Sequence, residues 1–150
     1  MLSSNRVAEE FLLALVASMF LVKRYDFFDV MSEKAGFNIA DLERMEVSLN
    51  FKANICRFGA LFMLQTITDN NFQAVQSLLE RGEKYFLELN SDWGLGLIYN
   101  LMARTYVSTD PSEMSFIESQ SYLVKAIETF SRCEHHRGLY ISYEDIILLN

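Results

Sequence analysis

The 150-residue chain reads as an all-α domain of about seven helices, arranged as antiparallel hairpins stacked side by side. Three observations predict this. Apolar residues recur at helical rather than strand spacing, as Val47, Phe51, Ile55, Phe58 and Phe62 show. One proline and six glycines leave long stretches uninterrupted. A segment also repeats at an offset of 44 residues, so that Ser77 to Tyr99 aligns with Ser121 to Tyr143 and Gly94 falls on Gly138. The same offset carries Ile55, Phe58, Gly59 and Phe62 onto Tyr99, Met102, Ala103 and Tyr106. Helical hairpins too small to bury their own apolar faces produce such a period by stacking.

Taken in order, the first helix runs from about Ser4 to Lys23, with Ser3 or Ser4 as N-cap and Glu9 and Glu10 in its opening half. Its stretch from Phe11 to Val22 is apolar all round, which points to a core helix wrapped by its neighbours, with a partner-facing surface as the next reading. Glu9 and Glu10 stand where a signal peptide carries positive charge, and the run falls short of the ~20 residues that span a bilayer. A short second helix, about Asp26 to Lys34, stops at Ala35 to Asn38. The third is long, about Ile39 to Thr68, and is closed by the polar turn Thr68 to Asn71. The fourth follows to Leu89, with Phe72, Val75, Leu79, Gly82 and Phe86 at helical spacing. Asn90, Ser91 and Asp92 supply turn and cap chemistry before a fifth helix, about Trp93 to Val107. The loop from Ser108 to Glu113 holds the proline. Helix six spans about Ser112 to Cys133, and helix seven begins near His136. Such short connections pack each helix antiparallel to the next, in one domain covering residues 1 to 150.

Charge and residue usage narrow the function. A net charge of −7 with no basic half argues against direct nucleic-acid binding, which needs a concentrated Lys/Arg surface. Two cysteines, Cys56 and Cys133, make no disulfide framework in a chain this long and fit a reducing compartment, cytoplasmic or nuclear. Cys133, His135 and His136 are the most suggestive cluster, yet adjacent histidines diverge on a helix and no second Cys/His group completes four ligands. No metal and no cofactor are expected. Only two histidines, side by side, are available to serve a Ser/His/Asp or Cys/His site, so no enzyme activity is expected either.

The repeat resembles the tetratricopeptide-type family. That family's helix A carries a large residue, an apolar residue three later, a small residue next and an aromatic three beyond. Tyr99, Met102, Ala103 and Tyr106 fit, as do Ile55, Phe58, Gly59 and Phe62. Its helix B carries small residues where it crosses helix A, and Ser119 and Ala126 fit around Tyr122 and Leu123, with Gly82 in the place of Ala126 one repeat earlier. Residues 47 to 150 carry the resemblance, with 1 to 46 as irregular or capping helices. It implies a short right-handed superhelix whose concave groove is lined by helix A and binds a partner's peptide or helix. The family's period is nearer 34 residues, about ten fewer than here. Its closing proline is absent from both junctions, where Asn90-Ser91 and Glu134-His135 stand. HEAT and armadillo repeats match the raw period better but lack support from a helix-bending proline. A bundle with accidental periodicity is the other alternative.

The resemblance nominates polar residues of helix A as partner-binding groove residues: Asn100 and Arg104, four apart on one face, with Lys52 and Arg57 one repeat earlier. An asparagine amide pairs with a peptide backbone in both directions, and arginine clamps a carboxylate through two hydrogen bonds. Trp93, Tyr99, Tyr106 and Tyr122 are read as packing residues. Within these residues the last helix lacks a hairpin mate, so Tyr140, Tyr143, Ile146 and Ile147 form a candidate interface for a homodimer or for docking to another subunit, with the first helix as the alternative surface. The expected function is a non-enzymatic scaffold or complex subunit that binds a protein or peptide, without membrane or nucleic acid. A peptide-sensing domain of a larger regulator is the alternative.

Overall fold

Helical runs, without a strand, make up every element of the computed structural model, which describes residues 2–35, 38–65, 71–109 and 113–149. The order is α1 (Leu2–Leu21), α2 (Phe27–Ala35), a 3-10 helix (Ile39–Arg44), α3 (Leu49–Leu64), α4 (Phe72–Glu88), α5 (Asp92–Thr109), α6 (Glu113–Arg132) and α7 (His136–Leu149). From α3 onward each helix packs on the next, and α3, α5 and α7 also touch in sequence. The fully buried Ile55, Leu79, Phe86, Ile98, Leu123 and Phe130 lie along this stack.

The 44-residue offset is a geometric repeat as well. α4 and α6 end in the same Schellman motif, in which two amides fold back onto the last turn. Ser91 N donates to Phe86 O at 3.0 Å, and His135 N donates to Phe130 O at 2.9 Å. Asn90 and Glu134, at the matching place, hold φ of 51° and 52°. α1 ends likewise, with Arg24 N on Met19 O at 2.9 Å and Lys23 at φ 59°. The reversals after α4 and α6 then each set a phenyl ring on a glycine of the next helix. A Cβ at Gly94 would run into the Phe86 ring, and one at Gly138 would lie 2.7 Å from the Phe130 ring.

Small residues stand at the helix crossings. A Cβ at Gly82 would sit 3.4 Å from Cys56 Cβ on α3, and one at Gly59 would sit 3.3 Å from Leu78 on α4. Ala103 is buried, and its carbonyl accepts from Ser119 Oγ of α6 at 3.0 Å. Backbones approach closely there because no side chain holds them apart.

Three local expectations are corrected. The long third helix is broken: Met45 and Ser48 are extended, and α3 starts only at Leu49. Ser48 makes the break by capping, its Oγ accepting from Phe51 N at 3.1 Å. Ser3 and Ser4 lie inside α1 rather than capping it. α1 is also not wrapped. Val16 is fully buried and Leu13, Met19 and Phe20 pack on the core, while Val7, Phe11, Leu21 and Val22 are exposed. α1 leans on α3 with one face, anchored where Phe20, Tyr25 and Phe28 meet Phe62 at ring separations of 5.4, 6.2 and 5.0 Å. The turns expected at 36–37, 68–70 and 110–112 lie outside the described residues.

Candidate functional site: a cleft between α3, α5 and α7

The C-terminal halves of α3, α5 and α7 border a cleft of about 320 Å³. Leu61 and Leu64 line it from α3, Leu101 and Val107 from α5, Leu123 from α6 and Leu148 from α7. Its walls are mostly aliphatic because the three helices present successive turns of their inner faces at the same end of the stack. Gln65, Ser108 and Ser119 add hydrogen-bonding groups, and Arg104 and Asp145 mark the edge.

Arg104 reaches from α5 to α7, with Nη2 3.3 Å and Nε 3.4 Å from Asp145 Oδ2. Both nitrogens share one oxygen at long range, and the Arg104 side chain is 49% exposed. The Asp145 side chain is 21% exposed, but this long, single-oxygen geometry on a half-exposed arginine makes a weak pair of about 1 kcal/mol, which a ligand carboxylate or carbonyl can compete with for the guanidinium.

The other residues expected in the groove do not converge with Arg104. Asn100 is buried, and its Oδ1 accepts from Ser142 Oγ at 3.0 Å, tying α5 to α7. Lys52 is half-buried, and its Nζ donates to the Glu43 carbonyl at 3.1 Å. Arg57 donates to Asn54 Oδ1 at 3.2 Å and lies over the Phe58 ring at 4.2 Å. Burial pushes its guanidinium down to about 10, which leaves it charged at neutral pH. Of the nominated four, Arg104 alone lines the cleft. The aliphatic lining was not singled out from sequence because leucines at helical spacing read as core.

The nominated interface residues fall on α7. Tyr140, Tyr143 and Ile147 are exposed, whereas Ile146 is half-buried. Trp93 is 40% exposed, while Tyr99, Tyr106 and Tyr122 are half-buried in a ladder across α5 and α6. Tyr122 stacks on Tyr106 at 5.8 Å and on Tyr99 at 6.3 Å, with Lys125 Nζ 4.8 Å above its ring. Cys56 is buried, and desolvation pushes its thiol up to about 11. Among the described residues, no group of three or more His, Cys, Asp or Glu is placed to hold a metal ion. No described helix is long and apolar enough to cross a membrane. Comparison with known proteins finds no matching family model, curated protein or solved structure.

Proposed function

We propose that the chain is a non-enzymatic interaction domain that receives an aliphatic side chain from a partner helix or peptide in the cleft between α3, α5 and α7. The observation that carries this reading is the cleft itself, about 320 Å³ lined by leucines and Val107, with a weakly held guanidinium at its edge. That volume lies at the lower end of the range for small-ligand sites, and a mostly apolar lining with a few polar groups is what partner-side-chain pockets share. Burial of a leucine or methionine there supplies the affinity. Arg104, drawn off Asp145, fixes the register of the incoming backbone or carboxylate. The tetratricopeptide-like pattern of the sequence, whose helix A would carry Arg104, supports the same reading, since domains of that family act as scaffolds inside larger complexes.

The test uses a displayed library of helical peptides panned against the whole chain. Selected binders should share an aliphatic anchor. Val107→Glu, which places a charge in the cleft wall, should abolish their binding, and Arg104→Ala should weaken it about tenfold. Binders indifferent to Val107→Glu would remove this reading.

A further inference from the structure

We infer that the exposed face of α7 is a self-association surface, on which α7 of a second copy of this chain packs antiparallel across a two-fold axis. The location follows from the repeat register. On α5 the residues that meet α6 are Gly96 under the Phe130 ring, Tyr99 stacked on Tyr122, and Ala103, whose carbonyl accepts from Ser119. Forty-four residues on, the same positions of α7 are Tyr140, Tyr143 and Ile147. They are 66%, 54% and 73% exposed, and among the described residues no helix stands where α6 stands on α5. The α7 face is therefore built to meet a helix, and it carries large apolar side chains where α5 carries glycine and alanine.

Charge identifies the occupant. Arg137 and Glu144 continue the stripe at helical spacing, Arg137 in the first turn and Glu144 two turns later, and both are exposed. Neither has a salt-bridge partner among the described residues. Arg137 also sits at the unfavourable end of its helix, because the macrodipole disfavours a base in the first turn, while Glu144 lies mid-helix. An antiparallel second α7 gives both a partner. It brings Arg137 to Glu144 of the other copy, twice by symmetry, and sets Tyr140 against the other copy's Tyr143. A parallel pair would oppose Arg137 to Arg137 and Glu144 to Glu144. The exposed apolar face of α1 offers no such code, since Arg6 and Glu10 there already pair at 3.0 Å within the helix.

Two turns of contact make a small interface, so association is weak and concentration-dependent. Sedimentation equilibrium of the whole chain, from about 10 μM to about 1 mM, should show the mass rising from monomer towards dimer. Ile147→Ser should weaken association at least about tenfold with helical circular dichroism unchanged. Arg137→Glu and Glu144→Arg should each weaken it about fivefold, and the two together should restore it. Val107→Glu lies in the cleft and should leave the dimer intact, so the two readings fail separately. A monomer at every concentration would overturn the inference and give the face to a helix of another protein. A dimer that ignores Ile147→Ser, or charge reversals that weaken singly without rescue in combination, would overturn it equally.

Discussion

Glu9 of α1 completes the N-cap of α3: its carboxylate accepts from both the backbone N–H and the hydroxyl of Ser48, while Ser48 Oγ accepts from Phe51 N. In a capping box the residue three after the cap supplies that carboxylate. Here that residue is Phe51, and the acid comes instead from 39 residues before Ser48. One interaction therefore both starts α3 and fastens α1 to it. Glu9→Ala should cost about 1 kcal/mol in urea denaturation. Hydrogen exchange should also quicken in the first turn of α3 and along α1. An unchanged midpoint with unchanged exchange would show that Glu9 does not cap α3.

The rings on the glycines of successive helices set a second expectation. Alanine normally stabilises a helix over glycine by about 1 kcal/mol. At Gly138 the new methyl would meet both the fully buried ring of Phe130 and the His135 ring, each 2.7 Å away. Overpacking of this kind costs about 1 to 3 kcal/mol, so Gly138→Ala and Gly94→Ala should lower stability despite the better propensity. Gly59→Ala is the control: its closest neighbour is the end of the half-buried Ile39 side chain, which can swing aside. Thermal unfolding should show losses at Gly94 and Gly138 and little change at Gly59.

These contacts also explain which features could be read from the sequence. Helical class and hairpin order were legible because Phe86 and Gly94 return as Phe130 and Gly138, and both pairs close the same turn. The break before α3 was not legible, because Ser48 looks like any interior serine until Glu9 is brought to it. The run in α1 gave no sign of which face would be covered, since apolar residues lie all round it. At the site, Arg104 was legible as a polar residue one turn after Asn100 on α5. Asn100 shares that face, yet Ser142 takes its oxygen, and that partner is fixed by how α7 docks on α5. Leu61, Leu64 and Leu148 look like core by type, and only the tertiary arrangement of α3, α5 and α7 leaves them lining a cleft.

Glycine is absent where the backbone asks for it. Glu134 holds φ 52° in the turn between α6 and α7, a conformation that costs an L-residue about 1–2 kcal/mol. Part of that relief is offset by the greater freedom of glycine in the unfolded chain. Glu134→Gly should therefore stabilise by about 0.5–1 kcal/mol in urea denaturation. Asn90→Gly should gain less, because asparagine tolerates the left-handed region. A destabilised Glu134→Gly would mean that the side chain contributes more than its backbone strain removes.

Alkaline pH probes the tyrosine ladder. Burial, and then the Glu83 carboxylate that accepts from its hydroxyl at 3.0 Å, push the Tyr99 phenol up to about 12. Tyr85, Tyr106 and Tyr122 are raised too, in each case mainly by burial. A raised acid keeps its proton in the fold after the unfolded chain, near the ordinary value of 10, has begun to lose it. Above that pH the unfolded state binds fewer protons than the native state, so stability falls as pH rises. For Tyr99 the contribution is complete below pH 10 and is lost as pH climbs through about 12. Urea midpoints should hold steady at neutral pH and decline across that window, with the decline shallower in Tyr99→Phe. Ultraviolet difference absorbance on the native protein should place the phenol ionisations late, and a normal titration of all seven tyrosines would contradict the buried ladder.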